Sequence, residues 1–214
     1  MKLSELLAQT RLEGWNPPGT GITQEVTITG LTADSRQVIP GALFAALPGS
    51  RDDGTRFIEP AIASGAVAIL HPADLSPPPG VISLPHPEPR RALAALAAAY
   101  WGHPADHLKM IGITGSNGKT TVAAMVEAIL TRQGIATGVI GTTGTRHPGG
   151  TRPAALTTPD PITLHQSLAA MREAGCSAAV AEVSSHALTQ CRTAGIFWQA
   201  AAFTNLSRDH LDYH

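Results

Sequence analysis

A glycine-rich segment between an apolar run and a helical pattern is the part of this sequence best suited to bind phosphate. The short, β-branched run over residues 108–113 predicts a buried strand, and apolar residues at helical spacing over 120–132 predict a helix. Gly115 and Gly118 lie between them, where the backbone must turn tightly. Successive N–H groups and a helix N-terminus at such a turn form a concave anion site. The spacing therefore predicts a nucleoside triphosphate site.

Lys119 and Thr120 directly follow the second glycine. In a phosphate-binding loop the lysine reaches the terminal phosphates and the hydroxyl is available to Mg²⁺. The spacing departs from the common pattern, because Ile113 stands where that pattern has its first glycine. A glycine turn leading into a capped helix, with an incidental lysine, is the ordinary alternative. The order of strand, two glycines, Lys-Thr and helix favours the triphosphate site.

Three more polar clusters follow predicted strands, at residues 142–143, 182–186 and 204–214. The carboxyl ends of parallel strands meet at one edge of a sheet, where ligands bind. Glu182 at that edge would offer oxygen to Mg²⁺, which prefers oxygen ligands. The imidazole of His210 could serve a second metal ion or a phosphate. Taken singly, a helix-capping Glu182 and a surface His210 are the ordinary alternatives, and both stay open at this point.

The composition restricts the classes of protein to which the chain can belong. With 214 residues it can form one large or two modest domains, and a net charge of −1 without a basic cluster argues against a nucleic-acid partner. Cys176 and Cys191 are isolated in the sequence, which favours a reducing compartment. We find no apolar run of about 18 residues and no signal-peptide core, so we expect a cytoplasmic protein without a membrane partner.

The chain divides into two α/β blocks at a linker over residues 102–107, where Pro104 ends a helix. The first domain is predicted over residues 1–104 and the second over 105–214. In the first domain, apolar runs and helical spacing predict strands over 26–31, 42–47, 67–70 and 81–84 and helices over 3–8, 57–64 and 90–101.

The second block alternates strands with helices, which predicts a mostly parallel sheet covered by helices. Its strands are predicted over 108–113, 135–140, 178–183 and 199–203 and its helices over 120–133 and 162–174, with a Gly/Pro-rich loop that reaches Pro161. A parallel nucleotide-binding sheet usually has more than four strands. We therefore expect the chain to hold only the N-terminal part of this second domain.

Taken together, the polar clusters resemble one family. The phosphate loop over residues 114–121, the string Glu182-Val-Ser-Ser-His186 and the string Asn205-Leu-Ser-Arg-Asp-His-Leu-Asp-Tyr-His214 resemble the Mur ligase family. Asp34-Ser-Arg36 and Gly41-Ala-Leu-Phe44 extend the resemblance into the first block. The resemblance implies a small N-terminal α/β domain that binds the UDP end of a substrate, followed by a P-loop-type parallel α/β ATPase domain that is truncated in this chain.

The family implies an ATP-driven ligase that forms an amide bond. The terminal carboxylate of the substrate takes the γ-phosphoryl group, and the amine of an amino acid attacks the resulting acyl phosphate, so the protein supplies positioning and charge neutralisation. Within the family, the strings are closest to the ligases that add the third amino acid, a diamino acid, to UDP-MurNAc-L-Ala-D-Glu during peptidoglycan precursor synthesis. The implied cofactors are ATP as co-substrate and Mg²⁺.

The resemblance also implies a role for individual residues. Lys119, Glu182 and His210 are the expected catalytic residues, and Thr120, Glu182 and His210 are the expected Mg²⁺ ligands. ATP is expected to contact the loop residues Gly115, Ser116, Asn117, Gly118, Lys119, Thr120 and Thr121. The UDP-MurNAc-dipeptide is expected to contact Ser35, Ser50, Arg51, Asp52, Thr157, Thr158, Ser184, Gln190 and Arg192.

Two positions depart from the pattern of the family. Leu156 stands where related ligases often have Asn, and Ala33 replaces a larger apolar residue. The family also uses a carbamylated lysine and a third domain that would follow His214, so the chain alone is expected to be inactive. We also expect the protein to be a monomer. Two kinds of alternative stay open. One is a sibling ligase that adds D-Ala-D-Ala or a folate-type relative, both of which the string over 182–186 disfavours. The other is a non-catalytic module that binds a UDP-sugar or nucleotide. The choice between meso-diaminopimelate and L-lysine is not predicted.

Overall fold

The computed structural model describes residues 1–15, 26–49 and 53–207. The chain separates into two compact units, Met1–Tyr100 and Trp101–His214. This division falls a few residues before the boundary that the linker sequence predicts.

The first unit is built on a parallel sheet. Within its described residues the four strands β1 to β4 lie side by side in chain order, and all neighbouring pairs are parallel. The strands are β1 (Gly30–Thr32), β2 (Ala42–Ala45), β3 (Ala68–Pro72) and β4 (Ile82–His86), and the helices are α1 (Leu3–Gln9), α2 (Ile58–Ala63) and α3 (Pro89–Tyr100). Two short 3₁₀ turns, Ser35–Gln37 and Gly54–Phe57, follow β1 and precede α2.

The predicted strand over 26–31 is wrong in its bounds, because the sheet strand β1 begins at Gly30. Residues 26–28 are extended, but they bond to the N-terminus of the chain: the N–H of Leu3 donates to the carbonyl of Val26, and the N–H of Ile28 donates to that of Met1, both at 2.8 Å. The apolar pattern therefore belongs to an extended segment that pairs with the N-terminus of the chain and not with the sheet.

The core of the first unit explains its apolar runs. Every residue of β2 is buried, as expected of a parallel strand covered on both faces. Phe44 is the largest fully buried side chain and packs in one cluster with Ile58 and Ile69. The alanine-rich helix α3 buries Leu93 and Leu96.

The second unit carries a six-stranded sheet in its described part, in the order β10-β5-β9-β6-β7-β8. The first four strands in that order are parallel, which confirms the predicted mostly parallel sheet. The strands are β5 (Lys109–Thr114), β6 (Thr137–Gly141), β7 (Gly144–His147), β8 (Gly150–Arg152), β9 (Ala178–Glu182) and β10 (Ala200–Phe203). The helices are α4 (Lys119–Arg132), α5 (Pro161–Glu173) and α6 (Ser185–Thr189).

The segment predicted as a loop up to Pro161 contains an antiparallel hairpin, β7 and β8, which pairs with β6. Its strands are short and polar, with β7 half-buried after its first residue and β8 exposed, so no apolar alternation marks them. An ion pair with a helix holds the hairpin in place instead. The guanidinium of Arg146 on β7 donates to both carboxylate oxygens of Glu127 on α4, and these bonds raise the pKa of Arg146. The four predicted strands thus become six through residues that gave no periodic signal.

Helices cover both faces of this sheet. On one face, α5 packs Leu164, Leu168 and Met171 against Met110 of β5 and Ile140 of β6. On the other face, α4 covers a cluster that includes Ile113, Ala123, Val139 and Val180. The sheet is therefore fixed between two layers, with its carboxyl edge left for the loops.

One buried histidine of the second unit titrates abnormally. His165 on α5 is 2% exposed, and neither ring nitrogen has a hydrogen-bond partner within the described part of the chain. Burial lowers the pKa of His165 to about 4, with a smaller lowering by His103 and an opposing effect of Asp106. His165 therefore binds a proton less readily in the folded state than in the unfolded chain. As a result, the free energy of unfolding decreases as the pH falls from about 6.5 to about 4.

We predict that His165 alone lowers the free energy of unfolding by about 2 kcal/mol between pH 7 and pH 5. His165→Leu removes the titrating group and should abolish this part of the pH dependence, whereas replacing an exposed histidine, His107→Gln, should leave it intact. Urea unfolding at both pH values, followed by circular dichroism, measures the difference. Equal pH slopes for His165→Leu and the original chain would contradict the prediction.

Candidate functional site

The predicted phosphate loop connects β5 to α4, as the sequence pattern indicates. Gly115 has φ +126° and Gly118 has φ +84°, both in the left-handed region that favours glycine. A Cβ atom on Gly115 would lie 2.2 Å from Oγ1 of Thr204 and 2.9 Å from the carbonyl oxygen of Asn205. Glycine is therefore required here by close packing as well as by backbone conformation.

The segment after β10 holds this loop in shape. The N–H groups of Ser116 and Asn117 donate to the carbonyl and side-chain oxygens of Asn205, each at 3.0 Å. The hydroxyl of Thr204 donates to the carbonyl of Asn117 at 2.7 Å. Sequence reasoning assigned no role to Thr204 or Asn205, although both lie in a polar cluster directly after a predicted strand. These bonds preorganise the loop through residues that are distant in sequence.

Lys119 is the first residue of α4, and its ammonium bends back over the loop. Its Nζ atom donates to the carbonyls of Gly115 at 2.6 Å and Ser116 at 3.0 Å. The positive charge thus lies on the loop itself, where terminal phosphates would meet it. The macrodipole of α4 adds partial positive charge at the same place.

A cavity of about 370 Å³ opens beside the loop. The loop and the start of α6 provide its polar wall, and exposed apolar side chains provide the other. Its lining consists of Thr114, Gly115, Ser116, Lys119, Ser184, Ser185, Leu188, Phe203, Leu206 and Ser207. The predicted loop residues and Ser184 therefore share one space.

Glu182 ends β9 with its side chain 1% exposed. Its Oε2 atom accepts from the hydroxyls of Thr120 at 2.8 Å and Thr142 at 3.1 Å, and its Oε1 atom accepts from the N–H of Thr142 at 3.1 Å. A buried carboxylate is costly unless it is hydrogen-bonded, and these three donors offset part of that cost. The structure thus brings Glu182 and Thr120 together, and their role as Mg²⁺ ligands stays a prediction.

The oxygen atoms of Thr120 and Glu182 fit Mg²⁺, which prefers oxygen ligands and often keeps only one or two protein ligands beside a phosphate. In the described ranges no group of three or more His, Cys, Asp or Glu residues could hold a metal ion by itself. A metal held jointly with a nucleotide is therefore the kind of site that these residues suit. His210, the other predicted ligand, lies outside the described residues, so its role stays a prediction.

Four of the residues predicted to contact the substrate gather beside Glu182. The hydroxyl of Thr158 donates to the backbone carbonyl of Glu182 at 2.8 Å and accepts from the N–H of Ser184 at 3.0 Å. The guanidinium of Arg192 donates to the carbonyl of Thr158 at 2.5 Å and to Oε1 of Gln190 at 2.8 Å. Thr158 is 1% exposed, so its hydroxyl serves to fasten the loop before α5 to β9.

Thr157 and Thr142 complete this edge of the sheet, with their hydroxyl oxygens 3.1 Å apart. Thr142 directly follows β6 and belongs to the polar cluster noted at residues 142–143, for which the sequence alone suggested no role. Thr120 and Thr142 thus meet at the Glu182 carboxylate, and Thr157 is linked to it through the hydroxyl of Thr142.

In the first unit, Ser35 opens the 3₁₀ turn after β1 and is half-buried. The carboxylate of Asp34 caps this turn by accepting from the N–H of Arg36 at 3.0 Å, and the guanidinium of Arg36 donates to both its oxygens at 2.9 and 2.7 Å. The side-chain hydrogen bonds from Arg36 are the main reason why the pKa of Asp34 is lowered. Ser50, Arg51 and Asp52 lie outside the described residues.

In the part of the chain that the structure covers, none of the helices has the length and apolar character needed to cross a membrane.

Comparison with known families gives a consistent result for both units. The Mur ligase family, catalytic domain, matches residues 27–101, and the Mur ligase middle domain matches residues 113–214.

A curated UDP-N-acetylmuramoyl-L-alanyl-D-glutamate–2,6-diaminopimelate ligase from Gloeobacter violaceus is 44% identical to this chain, over 100% of the chain and 42% of the relative. The chain spans about two fifths of the length of the curated relatives that it matches.

Solved structures agree with this result. A structure of a UDP-N-acetylmuramoyl-L-alanyl-D-glutamate–2,6-diaminopimelate ligase is 32% identical, with a TM-score of 0.71 over 87% of this chain and 38% of the other. A MurF ligase from Thermotoga maritima in complex with ADP shares the fold at 22% identity, with a TM-score of 0.57 over 85% of this chain and 38% of the other. With one family matched in both units and similarity along the whole chain, this chain belongs to the Mur ligase family.

Proposed function

We propose that this chain carries the UDP-sugar and ATP sites of a ligase that adds 2,6-diaminopimelate to UDP-MurNAc-L-Ala-D-Glu in peptidoglycan precursor synthesis. The observation that carries the proposal is the buried Glu182 carboxylate, which bonds to Thr120 directly beside Lys119 of the phosphate loop. The names of the relatives that are similar over the whole chain support the choice of substrate and amino acid.

The proposed reaction activates the terminal carboxylate of the dipeptide by phosphoryl transfer from ATP. A carboxylate is a poor electrophile, and the acyl phosphate is a good one. The protein must neutralise the charge of the phosphates and hold the two reactants in line. The Lys119 ammonium and the N-terminus of α4 supply positive charge at one point of the cavity. Mg²⁺, held by Thr120 and Glu182, would supply further charge neutralisation when bound.

The terminal carboxylate of UDP-MurNAc-L-Ala-D-Glu is the group that accepts the phosphoryl group. We propose that this acceptor carboxylate binds at the cluster around Thr157 and Arg192. A guanidinium is suited to a carboxylate, because its planar fork can make two parallel hydrogen bonds. In the structure Arg192 lies against the loop that carries Thr157, and that loop is fastened to β9 at Glu182. The acceptor carboxylate would therefore be positioned at the same edge of the sheet as the phosphates, because β9 and β5 are parallel neighbours.

The same proposal includes Mg²⁺ as cofactor and recognition of the uridine end by the first unit. Ser35 follows β1, and the expected contacts at residues 50–52 come after β2 in the sequence; the carboxyl ends of these two strands meet at one edge of that sheet. A cytoplasmic location and a monomeric state, both expected from the sequence, remain part of the proposal.

The first prediction from the proposed function concerns ATP binding by this chain. Lys119→Ala should weaken ATP binding by roughly 10- to 100-fold, because it removes a charged donor from the phosphates. Lys109→Ala is the matched control, since Lys109 is an exposed lysine on the adjoining strand β5. Isothermal titration calorimetry with ATP in the presence of Mg²⁺ measures both. An unchanged affinity for Lys119→Ala would remove the phosphate loop from the proposal.

The second prediction concerns the metal. Glu182→Gln keeps the shape of the side chain but removes its charge, so the gain in ATP affinity on adding Mg²⁺ should fall by about tenfold while binding without Mg²⁺ is retained. The exposed Glu173→Gln at the end of α5 is the control. Titrations of ATP with and without Mg²⁺ separate the two contributions. A Glu182→Gln variant with the full Mg²⁺ response would exclude Glu182 as a ligand.

The third prediction concerns the first unit. Ser35→Ala should weaken binding of UDP-MurNAc-L-Ala-D-Glu by roughly three- to tenfold, because one hydroxyl partner of the nucleotide is lost. Ser64→Ala, at the exposed end of α2, should have no effect. Calorimetry on the chain tests this prediction without ATP or turnover. If both variants bound equally well, substrate recognition by the turn after β1 would be abandoned.

A further inference from the structure

We infer that Thr142 is a positioning residue that orients the Glu182 carboxylate. It also connects this carboxylate to Thr157, beside which the acceptor carboxylate of the substrate is proposed to bind. The inference rests on the proposed function and adds a residue to it.

Thr142 holds both oxygens of one carboxylate. Its N–H donates to Oε1 of Glu182 and its hydroxyl donates to Oε2, each at 3.1 Å. Two donors on two oxygens fix the rotation of the carboxylate plane as well as its position. Thr120 also donates to Oε2, so the orientation from Thr142 would persist if the Thr120 hydroxyl turned toward a metal ion.

Gly141 makes this contact possible. A Cβ atom at Gly141 would lie 2.0 Å from Oε1 of Glu182, so any side chain there would displace the carboxylate. The end of β6 is thus shaped to let the carboxylate lie directly against the backbone at Thr142.

The direction of the hydrogen bonds can be deduced from the donor count. A threonine hydroxyl has one proton, and an ionised carboxylate only accepts. Because Thr142 gives its proton to Glu182, its oxygen must accept the proton of Thr157 in their 3.1 Å contact. The Thr157 oxygen therefore keeps its lone pairs for a donor on the acceptor substrate, such as an amide N–H.

The neighbouring threonine shows that the arrangement is specific to one position. The hydroxyl of Thr143 accepts from the guanidinium of Arg146 at 3.0 Å and belongs to the hairpin ion pair with Glu127. The two adjacent threonines thus serve different networks, which makes Thr143 a matched control for Thr142.

The test measures how Mg²⁺ changes the affinity of this chain for ATP. Thr142→Val removes the hydroxyl and keeps the β-branched shape, and it should reduce the Mg²⁺-dependent gain in affinity by about tenfold, as is typical when a partner of a metal ligand is lost. Thr142→Ser should restore the gain to within about twofold, and Thr143→Val should not change it. ATP affinity without Mg²⁺ should be the same in all these variants.

Two double variants separate positioning from a general structural role. In a Glu182→Gln background, Thr142→Val should have no further effect on the Mg²⁺ response, because the oriented charge is already gone. Thr142→Val and Thr157→Val should be non-additive in their effect on UDP-MurNAc-L-Ala-D-Glu binding, because they remove the same contact. Thr142→Ala provides a second removal of the hydroxyl if Thr142→Val unfolds.

The outcomes distinguish the inference from the function on which it rests. If the original chain shows a Mg²⁺-dependent gain and Thr142→Val matches Thr143→Val, the role of Thr142 is wrong and the ATP site stands. If the original chain shows no Mg²⁺-dependent ATP binding, the proposed ATP site is overturned, and the role of Thr142 falls with it.

Discussion

The burial of one negative charge is the constraint on which the second unit depends. Glu182 is almost completely excluded from water, and an uncompensated carboxylate in such a place costs several kcal/mol. Hydrogen bonds from Thr120 at the start of α4 and from Thr142 after β6 compensate this charge. The start of α4 and the end of β6 must therefore lie within bonding distance of the carboxylate, and position 141 must have no side chain. The parallel sheet makes this possible, because the carboxyl ends of β5, β6 and β9 are adjacent.

The phosphate loop is stabilised by a second set of bonds that are equally distant in sequence. Thr204 and Asn205 bond to the loop backbone, and the close approach of this segment requires the absence of a side chain at Gly115. The loop therefore has its shape before any phosphate arrives. A loop that is already held in shape loses less binding energy to ordering when a ligand binds.

The fold class and the main elements of this chain follow from local patterns, whereas several features of the site do not. Apolar periodicity and the glycines at 115 and 118 predict β5, the loop and α4, because each signal is local in the sequence. The hairpin β7–β8 gave no such signal, because an ion pair with Glu127 anchors it instead of an apolar face. The extended residues 26–28 were assigned to the sheet because periodicity does not reveal which partner a strand has. The contacts of Asn205 and Thr142 join segments that only the folded sheet brings together.

The structure excludes the helix-capping alternative for Glu182 that the sequence left open. A helix-capping carboxylate would bond to the N–H groups of the next helix, but α6 is capped by Ser184, whose hydroxyl accepts from the N–H of Ala187 at 3.2 Å. The Glu182 carboxylate instead bonds to hydroxyls and one N–H from other elements. An apolar residue of similar size at this buried position would avoid the cost of burying a charge. Stability alone therefore gives no reason for a carboxylate at this position, and its bond to Thr120 at the start of α4 is the observation on which the proposed metal-binding role rests.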